Sequence, residues 1–197
     1  MDKYYSEQNL DEHKKKQKFY EKIGSTLISG IFIWLFWYYA NDVEHGMTCW
    51  AVDGSNVPVK ADTPDAHEVN GRFQTLLDLY AWCTILDAVR ELLAAIYFKT
   101  SANFLLLPIC LLKLNGFVQF AAMIMNHVYR LDHGGKVCSA DYIPKEERGS
   151  ELNQAIYMDH RGKLLWVLLI IYWIGFGLIC CCGSLAVIAL LSAGKRH

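Results

Sequence analysis

Four long apolar runs constrain the fold of this chain more than any other feature of its sequence. They extend over residues 24–40, 73–98, 104–131 and 164–194. A hydrocarbon core about 30 Å thick requires about 20 helical residues, so each run can cross a bilayer, the first together with its flanks. The fourth run contains no charged side chain, which argues against a soluble helical bundle. The sequence therefore predicts an all-α fold, an integral membrane four-helix bundle.

The composition excludes intrinsic disorder and disfavours nucleic acid as a partner. Aromatic side chains form 13% of the chain and the formal net charge is -1, so ample apolar surface is present to be buried. The 19 Lys and Arg side chains are matched by 20 Asp and Glu, which leaves no surplus of positive charge to neutralise phosphates. Membrane lipids are the partners that we expect.

The positive charges near the apolar runs predict the orientation. Lys14–Lys18 and Lys195–Arg196 lie close to spans on one side, whereas the loop over residues 41–72 on the other side is acidic. The positive-inside rule then places both termini in the cytosol, in the plasma membrane or an endomembrane, with the first span retained as an anchor. The expected parts are a cytosolic N-terminal helix over residues 1–23, a four-span domain over 24–194 and a cytosolic tail over 195–197.

Two loops, over residues 41–72 and 132–163, are expected to face the lumen or the exterior and to form a small cap. Cys49 lies in the first loop and Cys138 in the second. In an oxidising compartment one disulfide would join them, the alternative being two free thiols. We predict no metal site, because no pair of Cys or His ligands in these loops has the close spacing that zinc sites favour.

Charged side chains lie inside the second and third spans. Asp87, Arg90 and Glu91 share one helical face through their i,i+3 and i,i+4 spacing, and Lys113 lies at the same depth of the next span. Their charges sum to zero. Since a charge at membrane depth is costly unless it is paired, we predict ion pairs that hold the two helices in register. A proton or ion relay, and a site for a lipid headgroup or a partner helix, remain alternatives.

Small side chains in the first and fourth spans predict close helix packing, within one chain or between copies. The cysteine triplet of the fourth span has a second interpretation, reversible acylation near the cytosolic face. The packing positions are Ser25, Ser29, Gly30, Gly175, Gly177, Cys181 and Ser184, and the acylation candidates are Cys180, Cys181 and Cys182.

The sequence contains none of the short motifs that mark common catalytic sites. It has no Gly-rich phosphate loop, His-Glu-X-X-His helix, Gly-X-Ser-X-Gly elbow or Cys-X-X-Cys pair. We therefore expect neither enzymatic activity nor a cofactor.

The layout resembles the MARVEL-type and other tetraspan membrane organisers. It shares with them cytosolic termini, four spans, a short cytosolic turn over residues 99–103, and one cysteine in each outer loop, Cys49 and Cys138. Cys181-Cys182-Gly183 is also similar to the tetraspanin signature, although that signature belongs in a large outer loop. The claudin first-loop pattern is missing, because Cys49 is the only cysteine before the second span.

This resemblance implies lateral association, membrane shaping or partner scaffolding. We therefore expect a non-enzymatic scaffold that forms a homo-oligomer or a higher-order lattice. The alternative is a transporter, channel or membrane-complex subunit that uses the layer of Asp87, Arg90, Glu91 and Lys113.

Overall fold

The structure is a computed structural model that describes residues 2–41, 48–143 and 157–194. Side chains are described for residues 12–41, 48–143, 157–178 and 181. The predicted tail over residues 195–197 lies outside the described residues, as do the side chains of Cys180, Cys182 and Ser184.

The described chain is mostly helical, which confirms the helical class that the apolar runs predict. Two strands of two residues each pair antiparallel, with Trp50 opposite Glu68. The elements are α1 (Asp2–Ala40), β1 (Trp50–Ala51), β2 (His67–Glu68), α2 (Asn70–Thr100), a 3-10 turn (Asn103–Leu105), α3 (Leu106–Leu112), α4 (Asn115–Leu131), α5 (His133–Cys138) and α6 (Asp159–Gly194).

Within the residues that the structure describes, three helical stretches are long and apolar enough to cross a membrane, whereas the sequence predicts four spans. They are Glu12–Ala40, Asn103–Leu131 and Asp159–Leu178. The 31 residues of α2 give it a length of about 46 Å. However, α2 carries four charged side chains along its middle, Asp78, Asp87, Arg90 and Glu91. These charges make α2 too polar to count as a candidate membrane span. The difference therefore concerns the polarity of α2 and not its length.

The first helix differs from its predicted boundaries. Instead of ending near residue 23, the N-terminal helix continues into the apolar run, so that α1 is one helix of 39 residues. No steric contact interrupts it at Gly24, where a Cβ atom would meet nothing within 4 Å. At 1.5 Å per residue α1 is about 58 Å long, more than a hydrocarbon core requires.

Helices α1 and α2 pack antiparallel along most of their length. We call the helix ends next to the two disulfide-joined loops the loop-side ends. Near these ends, the ring centroids of Phe36 and Tyr80 are 5.7 Å apart. Toward the other end, the Lys18 ammonium group lies 5.3 Å from the centre of the Phe98 ring. Because α2 turns back tightly after Thr100, with Ser101 in the left-handed conformation at φ 55°, α3 and α4 run antiparallel beside it.

The buried core lies toward the loop-side ends of the helices. Tyr80 of α2 is stacked between Phe36 of α1 and Tyr172 of α6, the second centroid distance being 6.2 Å. Its hydroxyl group donates a hydrogen bond to the carbonyl oxygen of Ala122 in α4, at 3.3 Å. One side chain thus contacts all three of the other long helices, and such aromatic burial is a large contribution to packing.

The third predicted span is one helical path with a tightened turn. Between α3 and α4 the amide of Leu114 donates to the carbonyl of Leu111, and that of Phe117 to the carbonyl of Leu114. These i→i+3 bonds are 3-10 geometry. The turn separates the short α3, which contains Pro108, from the longer α4.

The two loops are joined by a disulfide. Cys49 and Cys138 are bonded, with their Cα atoms 5.8 Å apart, which confirms the prediction from the two loop cysteines. Backbone hydrogen bonds support the same arrangement, because Val69 donates to the carbonyl of Cys49 and Met158 to that of Cys138. We call residues 48–69, 132–143 and 157–162 the disulfide-linked unit.

Candidate functional site

The charged residues that the sequence predicts inside the spans form part of a larger polar network, in which α1 supplies the second cation. In α2, Arg90 pairs with Asp87 at 2.9 Å and with Glu91 at 2.9 Å. The other oxygen of Glu91 lies 2.8 Å from Lys22 Nζ of α1. We call Lys22, Asp87, Arg90, Glu91 and Gln119 the polar network.

Lys113 differs from its predicted position in this network. It lies in the turn between α3 and α4 with an exposed side chain, and no ion pair joins it to Asp87 or Glu91 among the residues that the structure describes. The depth of Lys113 was predicted from its distance to the span end, but depth does not determine the side of the helix to which a residue points. Lys22, which the sequence places before the first apolar run, occupies the expected role.

Amide side chains of α4 complete the contact with α2. Gln119 Nε2 donates a hydrogen bond to Asp87 Oδ2, and Asn115 Nδ2 donates to the carbonyl oxygen of Cys83, at 2.8 Å. The network therefore holds three helices together by paired charges and hydrogen bonds. Two cations and two anions make it neutral, and such pairing offsets the unfavourable burial of charge.

The position of this network along α2 follows from the helix geometry. Glu91 lies 18 residues from Phe73, near the loop-side end, and seven from Phe98. At 1.5 Å per residue these separations are about 27 Å and about 11 Å. The network therefore lies nearer to the α2–α3 turn than to the loop-side end of α2.

Two buried arginines at the loop side were not singled out from the sequence. Arg130, only 4% exposed, donates to both carboxylate oxygens of Asp141 at 2.7 and 2.9 Å. It also donates to the carbonyl of Gly162 at 2.8 Å and lies over the ring of Trp166. This arrangement attaches the C-terminal turn of α4 to the disulfide-linked unit and to α6.

Arg161 attaches the end of α1 to neighbouring segments, as Arg130 does for the end of α4. Its Nε and Nη2 donate to the carbonyl oxygens of Tyr39 and Ala40, at 2.8 and 3.0 Å, and its Nη1 donates to Asn70 Oδ1. The last carbonyls of a helix lack partners within the helix and attract positive charge. Arg161 of α6 therefore connects the end of α1 with the start of α2.

The disulfide-linked unit is closely packed despite its size. Its buried side chains include Ala51, Val69, Val137 and Met158. Tyr157 is also buried, and burial raises the pKa of its hydroxyl group. His133 Nε2 contacts the carbonyl oxygen of Ser55 in the other loop, at 2.9 Å.

Glycines make two close approaches in this unit. A Cβ atom on Gly135 would lie 1.9 Å from the backbone oxygen of Tyr129, and one on Gly162 would lie 2.1 Å from Ser139 Oγ. Both positions therefore require glycine as the chain is packed here. Neither glycine was identified from the sequence. The restriction at Gly162 comes from Ser139, which is distant in sequence, and the restriction at Gly135 comes from a sharp local turn after Tyr129.

Among the described packing positions, the three glycines contact no other helix of the chain. A Cβ atom on Gly30, Gly175 or Gly177 would meet nothing within 4 Å. Ser25 and Ser29 are half-buried, and Cys181 is exposed with a free thiol. The helix surfaces at these glycines are thus open, and the acylation candidates Cys180 and Cys182 remain predictions outside the described side chains.

A hydrogen bond between α4 and α6 was also missed by the sequence analysis. Trp173 Nε1 donates to His127 Nε2 at 2.7 Å, while His127 Nδ1 lies 3.0 Å from the carbonyl oxygen of Met123. Because the indole N–H can only donate, Nε2 of His127 is the acceptor of the bond from Trp173. Among the described residues, no group of three His, Cys, Asp or Glu side chains is arranged to hold a metal ion.

Comparison with known proteins gives no family assignment: no family model, curated protein or solved structure matches the chain.

Proposed function

We propose that this chain is a non-enzymatic, multi-pass membrane protein that self-associates and organises or shapes the bilayer as a structural scaffold. The observation that carries the proposal is the open surface at Gly30, Gly175 and Gly177, where no atom lies within 4 Å of an added Cβ. These glycines stand among exposed apolar side chains such as Ile31, Ile174 and Phe176. Small residues on such a surface permit close approach of a second helix.

In this proposal α2 is a fourth span, and the chain forms a four-helix bundle of the tetraspan type. The charges of α2 would exclude it from lipid if they were unpaired. Lys22 and Gln119 provide partners for Glu91 and Asp87, and α2 lies alongside α1 over most of its length. Both support insertion of α2 together with its neighbours.

Both termini then lie on one side of the membrane, which the lysines near the N-terminus favour as the cytosolic side. The disulfide-linked unit lies on the opposite side as a small cap. A disulfide between Cys49 and Cys138 is consistent with an oxidising compartment there, since such bonds are rare in the cytosol.

The test of self-association is the oligomeric mass of the full chain in native-lipid nanodiscs. We expect wild-type protein to form a homo-oligomer, and Gly175→Leu with Gly177→Leu to shift it toward the monomer. Because both positions are open within the chain, these variants should insert and fold normally. Ile174→Leu, which changes an exposed apolar side chain to another, is the matched control. A wild-type monomer, or oligomers unaffected by the leucine pair, would overturn the proposal.

The alternative function, as a transporter, channel or membrane-complex subunit, would use the polar network. It is favoured by the partial exposure of Lys22 and Asp87, whose side chains are 28% and 22% exposed. Neutral pairing weighs against it, because a conducting path needs charges that bind ions and release them again. Flux into liposomes that is abolished by Glu91→Gln, in a protein that still inserts and assembles, would favour this alternative.

A further inference from the structure

A surface rich in lysine and aromatic side chains lies where the N-terminal half of α1 crosses the end of α2. Two clefts, with volumes of about 530 and 200 Å³, are both lined by Phe98 and Ser101. We call this the lysine–aromatic surface. Its lysines are Lys14, Lys15, Lys16, Lys18 and Lys99, and its aromatic side chains are Phe19, Tyr20, Tyr97 and Phe98.

The described side chains of this surface are mostly basic, although the whole chain is nearly neutral. Among the side chains that the structure describes, five lysines and one acidic residue, Glu12, line the two clefts. Lys18 lies over the Phe98 ring at 5.3 Å, and Lys99 over the Phe19 ring at 5.9 Å. These two ammonium groups rest on aromatic faces, an arrangement that leaves them able to contact an anion.

The position of the surface along the helices determines the kind of anion it would meet. Phe98 lies 25 residues from Phe73, about 37 Å along α2, which is slightly more than the thickness of a hydrocarbon core. Phe19, Tyr97 and Phe98 therefore lie at the level of the membrane–water boundary, where aromatic rings concentrate. Lys14 and Lys15 lie one turn further out, at the level of lipid phosphates.

From this charge, shape and depth we infer that the lysine–aromatic surface binds the headgroup of an anionic phospholipid. Lys14, Lys18 and Lys99 contact the phosphate and any further acidic group, while the aromatic rings rest against the glycerol and the start of the acyl chains. The inference depends on insertion of the chain into a membrane and not on its self-association. Near an anionic surface each lysine contributes roughly a factor of five in affinity.

The test is native mass spectrometry of the full chain in a mild detergent, titrated separately with phosphatidylserine, phosphatidylcholine and inorganic phosphate. We expect phosphatidylserine adducts at concentrations at least tenfold lower than phosphatidylcholine adducts, and no effect of inorganic phosphate. The variant carrying Lys14→Gln, Lys18→Gln and Lys99→Gln should lose this preference at least tenfold. A control carrying Lys60→Gln, Lys136→Gln and Lys163→Gln makes the same change in net charge on the loop side and should keep it.

Several results would overturn the inference. These are equal binding of the two lipids by wild-type protein, an unchanged preference in the first variant, and an equal loss in the control. Competition by inorganic phosphate at the same concentrations would also contradict it, since the anion would then be free phosphate and not a lipid. The same spectra report the oligomeric mass, so a monomer that retains phosphatidylserine would contradict self-association while supporting the lipid site.

Discussion

The guanidinium group of Arg161, in the first turn of α6, donates a hydrogen bond of 3.0 Å to the carbonyl oxygen of Ala40, the last residue of α1. The neighbouring carbonyl of Tyr39 and the side chain of Asn70 accept from the same group. With Arg161 only 5% exposed, the ends of three helices depend on one buried cation.

Replacement of Arg161 by Met should lower the free energy of unfolding by about 3 kcal/mol, because two terminal carbonyls and Asn70 would lose a buried charged donor. The measurement is thermal unfolding of the full chain in detergent. Lys163→Met is the matched control, since the Lys163 side chain is 60% exposed and pairs with Asp159 near the surface. Equal destabilisation by the two substitutions would contradict the role given to Arg161.

Gly162→Ala should destabilise the protein by about 1–3 kcal/mol, because the new methyl group would overlap Ser139 and force the chain apart. Gly175→Ala should be neutral or slightly stabilising, since the site is open and alanine favours helix more than glycine does. Both are glycine-to-alanine changes in α6, so helix propensity is common to them. Comparing their melting temperatures isolates the contact with Ser139, and similar values would rule that contact out.

Reduction of the Cys49–Cys138 bond should lower the free energy of unfolding by about 2–4 kcal/mol. The reason is that the bond restrains two loops whose cysteines are 89 residues apart in sequence. Cys138→Ser should have the same effect and should remove the response to reductant. Cys110→Ser is the control, because Cys110 is exposed and has a free thiol. If peptide mapping under non-reducing conditions finds Cys49 and Cys138 unlinked, the arrangement of the loops described above is incorrect.

Lys22→Met should destabilise the protein by about 2 kcal/mol, because Glu91 would lose its interhelical partner and keep only Arg90. Combining it with Glu91→Gln should recover part of this loss, a coupling that a double-mutant cycle measures. Lys113 was predicted at the same depth as Glu91, but its side chain is exposed. Lys113→Met should therefore have little effect on stability. Additive effects of Lys22→Met and Glu91→Gln, or a larger effect at Lys113, would contradict the observed pairing.

Much of the secondary structure could be predicted from local sequence. Apolar runs indicated the long helices, and the short segment between Lys99 and Asn103 indicated an antiparallel hairpin of α2 with the next helix. Since Cys49 and Cys138 are the only cysteines in the two loops, their bond could also be predicted. Residue type and position along the chain were sufficient for these features.

The candidate site could be predicted only in part. The i,i+3 and i,i+4 spacing correctly grouped Asp87, Arg90 and Glu91, because residues of one helix have a known angular relation. Whether Lys22 or Lys113 would contact Glu91 depended on how the neighbouring helices are rotated about their axes. That rotation is a property of the tertiary packing and is not encoded in any local spacing.

The sequence by itself determined the helical class, the length of the apolar segments and the loop disulfide, because hydropathy, length and cysteine position are properties of the chain alone. Only the tertiary structure decided that α1 runs unbroken through Gly24, that Arg130 and Arg161 join the loop-side ends of the helices, and that Gly30, Gly175 and Gly177 face outward. Each of these features depends on which distant segments pack together. That packing results from many long-range contacts that form together, and no local stretch of sequence specifies it.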